Sequence, residues 1–238
     1  MTSTIVNGRS KSVRQLLHDA AAKAEKEGDP WGKHNIPNIP AERIIRHVYN
    51  AETRLWSTDE TIVKIEQTPF THGAMRFCYR MKMMAQAPNS RLPNRFHSYG
   101  WKHASNYVAK AYMKDGEIDV SKDAKLAVQN DITLQHESQY WAEKFNSSTP
   151  PKSILFIQAY AIEFPDRPGC PWMPIERFIS GTGSYGAGFV KHNTNSGFVD
   201  QDLSRITPQL FSAHSFYASE GDRLVVDIQG VGDLYTGR

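Results

Sequence analysis

Along the chain the apolar residues change period several times, and each change marks an element. Residues 11–27 place Val13, Leu16, Leu17, Ala20, Ala21 and Ala24 at helical spacing behind a capping Ser12, and Gly28, Asp29 and Pro30 close the run. The turn-rich "HNIPNIP" follows, and a short helix is predicted over 40–50. The period then drops to two. In "ETIVKIEQ" Ile62 and Lys64 alternate with Thr61, Val63 and Ile65. In "AMRFCYRMK" Met75, Phe77, Tyr79 and Met81 share one face, with Arg76, Arg80 and Lys82 on the other. "NYVAKAYM" repeats the pattern with Val108, Lys110 and Tyr112 on a common face, after a long polar loop at 86–100.

Ser121 opens a long predicted helix reaching Phe145, with Leu134, Trp141 and Phe145 on one side, and "SSTPPK" breaks it. "SILFIQAYAIEF" reads as one buried strand ended by "PDRPG", and "WMPIERFI" as another. A glycine-rich loop, the "HNTNSG" turn, a helical segment near 200–217 and a last strand, "RLVVDI", complete the chain. Mixed strands with an inserted helix predict an α+β fold.

Composition narrows the function classes. With 39% hydrophobic and 22% charged residues the chain is ordinary globular material, long enough for a substantial core. A net charge of +3 gives no footprint for nucleic acid, and no apolar run suits a membrane span. The N-terminus lacks the apolar core of a signal peptide. Cys78 and Cys170 fit neither a zinc spacing nor a disulfide framework, so a reduced, cytoplasmic setting is expected.

Five features carry candidate chemistry. "GTGSYGAG" (181–188) satisfies G-x-G-x-x-G, but no clear helix follows, so a flexible loop competes with a phosphate cradle. Lys110, inside an apolar strand, needs a partner or a wet cleft; it is either a phosphate-binding lysine or one that snorkels from an edge. Glu137 on the long helix is a carboxylate able to orient such a lysine, or else a solvated surface acid. Asp227 and Gln229, two apart on a predicted strand, would point the same way, an acid beside an amide suited to a hard Mg²⁺ shell. The nine histidines show no metal spacing, and His214 stands alone.

Taken in order, "DPW", "RHVYNAETRLW", "PFTHGAMRFCYRMK", "NYVAKAY", "LQHESQYWAEKFN", "PPKSILFIQAYAIEFPDRPG", "KHNTNSGFV", "RITPQLFS" and "VVDIQGVGDLYT" resemble the alpha-kinase family of atypical Ser/Thr protein kinases. Within it they are most similar to the kinases of translation elongation factor 2. The likeness covers roughly 29–236 and implies a two-lobed fold with a mainly antiparallel N-lobe sheet. It implies an N-terminal segment over 1–30, a kinase domain over 31–238, ATP and Mg²⁺ as cofactors, and elongation factor 2 as protein substrate. It assigns Arg76 and Lys110 to the nucleotide phosphates and Glu176 to the hinge beside adenine. Asn193 and Asn195 go to a loop lining the cleft, Asp227 to the catalytic acid and Gln229 to magnesium. The glycine run 181–188 falls in an insertion relative to the family, which favours the loop.

The resemblance also marks departures. After D-x-Q-G-V-x-x-L-x-T the family continues with Asp-Pro, whose Asp is a metal ligand; here Gly237 and Arg238 follow. The family's zinc histidine falls at Ala213, with His214 one position later, so no structural zinc is expected. A C-terminally truncated C-lobe, with impaired phosphotransfer, is therefore expected, and a non-catalytic nucleotide- or calmodulin-binding fragment is the alternative. The 11–27 helix, with Lys11, Arg14, Lys23 and Lys26 beside Leu16 and Leu17, corresponds to the family's calmodulin-targeting segment, and calmodulin is an expected partner.

Overall fold

The computed structural model describes residues 28–84, 100–101, 104–179, 188–202 and 205–236. The predicted 11–27 helix, nearly all of the 86–100 loop, residues 181–187 of the glycine run, and Gly237 with Arg238 lie outside them.

Six antiparallel strands form the first lobe: β1 (Glu42–Asn50), β2 (Leu55–Ile65), β4 (Arg76–Met83), β5 (Ser105–Lys114), β8 (Ala159–Glu163) and β9 (Trp172–Arg177). Short strands β3 (Thr71–His72) and β6 (Glu117–Ile118) extend β4 and β5. The pairings run β4-β2-β1-β8-β9-β5, and β5 pairs back onto β4, so the sheet closes on itself. Period-two alternation drives this closure: every strand sends one row inward, and a closed sheet removes both edges. Ile44, Val63, Met81, Ala109, Ile162 and Ile175, one from each strand, meet in that core with no more than trace exposure. The alternation read for β4 and β5 holds for Tyr79, Met81, Tyr107, Ala109 and Ala111 inside, with Arg76, Arg80, Lys110 and Tyr112 outside.

Helix α1 (Lys122–Ser147) lies across the barrel, capped where the sequence predicts: Ser121 Oγ accepts from the Ala124 amide at 3.2 Å. Its N-terminal half packs Val128 and Ile132 against Tyr49, Ala159, Ala161 and Trp172. Its C-terminal half serves the second lobe, where Ala142 and Phe145 join Ile154, Phe156, Phe211, Val225, Ile228 and Tyr235. That lobe consists of α2 (Thr207–Ala218) and a small sheet ordered β10 (Val190–Lys191), β11 (Gln229–Val231), β12 (Leu234–Thr236) and β7 (Leu155–Phe156). The fold is α+β, as expected. Consecutive residues tie the lobes together: the Ile157 amide donates to Tyr235 O at 2.9 Å, and Gln158 O accepts from the Arg177 amide at 3.0 Å. Among the described residues no helix is long and apolar enough to cross a membrane.

Asp29 and Trp31 belong to the barrel. Asp29 accepts from Asn106 Nδ2 at 2.9 Å and lies 2.9 Å from the ammonium of Lys82, whose side chain is 1% exposed. Burial pushes the Asp29 carboxyl up, but the bonds from Lys82, Asn106 and the Trp31 amide outweigh it and hold it below the ordinary value. Trp31 is buried against Phe178, with ring centroids 4.1 Å apart.

Four expectations are corrected. Residues 42–50 form a strand, not a helix: apolar residues in adjacent pairs, Ile44-Ile45 and Val48-Tyr49, imitate helical spacing, but pairing on both sides with β2 and β8 wins. The run 153–164 is two strands, because its halves pair in different sheets. Residues 223–228 are not a strand; the ladder starts at Gln229. On α1, Leu134 is 43% exposed, and the buried stripe runs Ala124, Val128, Asp131, Gln135, Ser138, Ala142, Phe145.

Candidate active site

The barrel's outer face gathers the cationic half of the site. Register sets Arg76 opposite Tyr112, Cys78 opposite Lys110, and Val108 opposite Glu176. Residues two apart on a strand share a face, so Arg76, Cys78, Tyr112, Lys110 and Glu176 form one patch on β4, β5 and β9. Lys110 Nζ donates to Glu176 Oε2 at 2.6 Å. Arg76 donates to Asp131 Oδ2 at 2.9 Å, and the Tyr112 hydroxyl donates to the same oxygen at 2.9 Å. The Arg76 guanidinium also lies 5.4 Å from the Tyr112 ring centre.

Each cation is thus held by a carboxylate from another element: Glu176 from β9, Asp131 from α1. The side chains are 17–23% exposed for Lys110 and Glu176, and 22% and 8% for Arg76 and Asp131. Partly desolvated cations held at fixed positions suit an anion of several oxygens, which they meet without first ordering flexible stems. Between them, burial raises the Cys78 thiol while Lys110 and Arg76 pull the other way. Both cysteines are free.

Glu137, expected to orient the lysine, instead pairs with Arg223 at 3.3 Å, between α1 and the segment after α2, and the carboxylate on Lys110 is that of Glu176. Asp131 was not among the sequence-derived candidates. Periodicity does mark it: an acid on the buried stripe of a helix, three residues after Val128 and four before Gln135, must have a partner.

The other predicted site residues, Asp227 and Gln229, lie in the second lobe. Asp227 does not sit in a strand: its backbone is left-handed, φ 61°, so the pleat does not align it with Gln229. The adjoining Ile228 fixes its place. The Ile228 amide donates to Asn193 Oδ1 at 3.0 Å, and its carbonyl accepts from the His192 amide at 2.9 Å. Asn193 Nδ2 donates in turn to Ser212 Oγ on α2 at 3.0 Å. Asn193, 4% exposed, therefore acts as a clamp under the site, while Asn195 is exposed in the turn above it. Gly230 lets β11 and β12 meet closely; a Cβ there would stand 2.0 Å from Leu234 O.

Asp227 Oδ1 is buried and receives no hydrogen bond, and Lys191 Nζ approaches it at 3.3 Å. Lys191 lies directly opposite Gln229. Among the described residues no three His, Cys, Asp or Glu side chains gather as a metal cluster. Magnesium does not demand one; it binds through one or two protein oxygens and completes its shell with phosphate and water. The Gln229 amide oxygen is a donor of that kind.

This geometry has counterparts in known proteins. Residues 71–237 match the Alpha-kinase family. The chain is 42% identical over 223 residues to eukaryotic elongation factor 2 kinase of Homo sapiens, covering 94% of this chain and 28% of that protein. The Caenorhabditis elegans kinase of the same name is 38% identical over 94% of this chain and 27% of its own length. This chain thus spans under a third of those relatives. Among solved structures, the alpha-kinase domain of myosin-II heavy chain kinase A in complex with AMP-PNP superposes with a TM-score of 0.63 at 27% identity, covering 83% of this chain and 81% of that one. A cation-bearing barrel face, a second lobe that carries D-x-Q, and a family match over well over half the sequence agree: the chain belongs to the alpha-kinase family.

Proposed function

We propose that this chain is the catalytic domain of an ATP-dependent Ser/Thr protein kinase whose substrate is translation elongation factor 2. The observation that carries the proposal is the pair of carboxylate-held cations, Lys110–Glu176 and Arg76–Asp131, on one face of the barrel. Names of relatives support it: two are elongation factor 2 kinases, and one solved neighbour holds an ATP analogue.

In this scheme Arg76 and Lys110 take the nucleotide phosphates, with Glu176 fixing the lysine beside the adenine hinge. Asp227 accepts the proton of the attacking hydroxyl, as a general base within reach of the nucleophile. Gln229 would hold Mg²⁺, which neutralises phosphate charge when bound. Asn193 keeps Asp227 and Gln229 in place from below, and Asn195 borders the cleft.

Two substitutions separate binding from chemistry. Lys110→Ala should weaken nucleotide binding and turnover together. Asp227→Asn should leave nucleotide affinity within about threefold and cut turnover about 10²- to 10⁴-fold, the span of a general base. Both are checked by nucleotide titration and steady-state phosphorylation of elongation factor 2. Wild-type turnover in Asp227→Asn overturns the assignment; nucleotide binding without any phosphotransfer by the parent chain favours the binding-only alternative.

Gly237 stands where the family has a metal-binding Asp, so phosphotransfer is expected to be impaired, and Gly237→Asp should raise turnover. The 11–27 segment is proposed to bind calmodulin; a titration of peptide 8–30 with calcium-loaded calmodulin tests this, and silence at tens of micromolar rejects it.

A further inference from the structure

We propose that the mouth of the barrel, at the end of β8 away from the second lobe, is a binding site for a small uncharged molecule that offers a carbonyl oxygen on an apolar body. Strand β8 leaves the joint between the lobes at Ala159 and ends at Glu163. The turn beyond it brings Arg167 against Glu42 at the start of β1, with Nε and Nη2 donating at 2.6 and 2.7 Å. The guanidinium lies over the Phe164 ring, 3.9 Å from its centre. A cavity of about 390 Å³ opens here, and Ile39, Pro40 and Ile118 are its apolar lining. That volume lies in the range of small-molecule pockets, whose few polar groups decide what they take.

Tyr79 supplies the decisive group. It is 6% exposed and its ring belongs to the barrel core, yet it lines the cavity. Its hydroxyl has no hydrogen-bond partner among the described residues. A mostly buried hydroxyl normally finds one, so a hydroxyl left open to a cavity marks the place of a ligand atom. Burial raises the Tyr79 pKa, with Arg167 opposing, so the group keeps its proton near neutral pH and can donate. Arg167 spends Nε and Nη2 on Glu42 and leaves its Nη1 donors unspent. The carboxylates at the mouth are already engaged, Glu42 by Arg167 and Glu66 by Arg80 at 3.0 Å. Donors are therefore in surplus while the charges cancel. A carbonyl oxygen fits that balance; an anion would meet Glu42 and Glu66, and a cation would meet Arg167. Strand β4 turns Tyr79 inward and Arg76 and Cys78 outward, so an occupant would touch from behind the strand that bears the cationic patch.

The test uses the longest natural form of the protein that contains this chain, isotopically labelled at its isoleucine methyl groups. Acetophenone is the neutral carbonyl probe and benzoate its anionic counterpart. Acetophenone should shift the Ile39 and Ile118 methyl signals with a Kd on the order of 1 mM, and benzoate should bind more weakly. Tyr79→Phe keeps the ring and removes the O–H. It should weaken acetophenone about 3- to 10-fold, the worth of one neutral hydrogen bond, and leave the remaining methyl spectrum in place. Ile39→Trp, at a half-buried position, should fill the cavity and abolish the shift at Ile118 with the thermal midpoint unchanged. None of these readouts depends on phosphotransfer. Silence at both methyl groups up to about 20 mM acetophenone overturns the proposal. So does a loss of less than about threefold in Tyr79→Phe, or an Ile118 shift that survives Ile39→Trp. Benzoate binding as tightly as acetophenone would make the mouth an anion site and overturn it too.

Discussion

The two lobes hold their functional groups by different physical means. In the barrel, strands of up to 11 residues pair in a closed ring, and position follows from register. Once Cys78 faces Lys110 and Val108 faces Glu176, the cationic patch is a by-product of the ladder. The second lobe has strands of two or three residues. Side chains replace the missing ladder there. Asn146 grips the Ile154 carbonyl and amide at 2.8 and 2.9 Å, Ser215 Oγ accepts from the Val225 amide at 2.9 Å, and Asn193 holds Ile228. A register is redundant, since each residue is fixed by many bonds. A clamp is not, so a catalytic group placed by clamps can be lost through one side chain while the fold survives.

That contrast is sharpest in stability. Met81 is fully buried at the barrel centre, and Met81→Ala should cost about 2–5 kcal/mol. Denaturant unfolding should show one global loss, with nucleotide affinity and turnover unchanged in whatever fraction stays folded. Asn193→Ala should cost less, about 1–3 kcal/mol, chiefly from the Ile228 amide left without its acceptor; the Ser212 hydroxyl loses one bond but still donates to the Pro208 carbonyl. Its effect on function should be lopsided: turnover falls with the misplaced Asp227, and nucleotide affinity, set by the barrel, does not. If nucleotide affinity drops in step with turnover, the clamp is not local and the contrast between lobes fails.

The same contrast explains what could be read from sequence. Strand β5 and parts of β2 and β4 were legible by their alternation, and β9, buried from Trp172 to Ile175, as a short apolar run. Lys110 stood out as the one cation in an apolar row. The second sheet was nearly illegible, since strands of two residues have no period. Asp227 and Gln229 were singled out as a pair by a same-face argument that the backbone at Asp227 breaks. Nothing local announces that bend; the bonds from His192 and Asn193, some thirty-five residues away, impose it. Asp131 was readable and Lys191 was not, because an acid on a buried stripe violates burial while a lysine on a short exposed strand violates nothing.

The smallest expected effect concerns acid, and it compares one histidine from each lobe. His192 has a side chain 1% exposed, between the clamp and the Tyr235 ring, and its Nδ1 lacks a hydrogen bond, with Asp200 at 3.6 Å. Burial holds its pKa below the ordinary 6.5; Arg205 lowers it further, while Asp200 and Asp202 oppose. His47 in the barrel is also lowered by burial, but its Nε2 reaches Glu163 at 3.2 Å and that carboxylate works against the shift. For a histidine lowered in the fold, stability is complete above the unfolded value of 6.5. It drains away as pH falls from there through the folded value, because the unfolded chain takes the proton first. The loss is bounded at about 1.4 kcal/mol per pH unit for each group, and less than that is expected here. Urea midpoints taken at about pH 7.5 and about pH 5.5 should therefore converge in His192→Gln more than in His47→Gln. Greater convergence in His47→Gln would mean that the barrel carries the acid-sensitive histidine, and that the second lobe's packing around its clamp is looser than its hydrogen bonds imply.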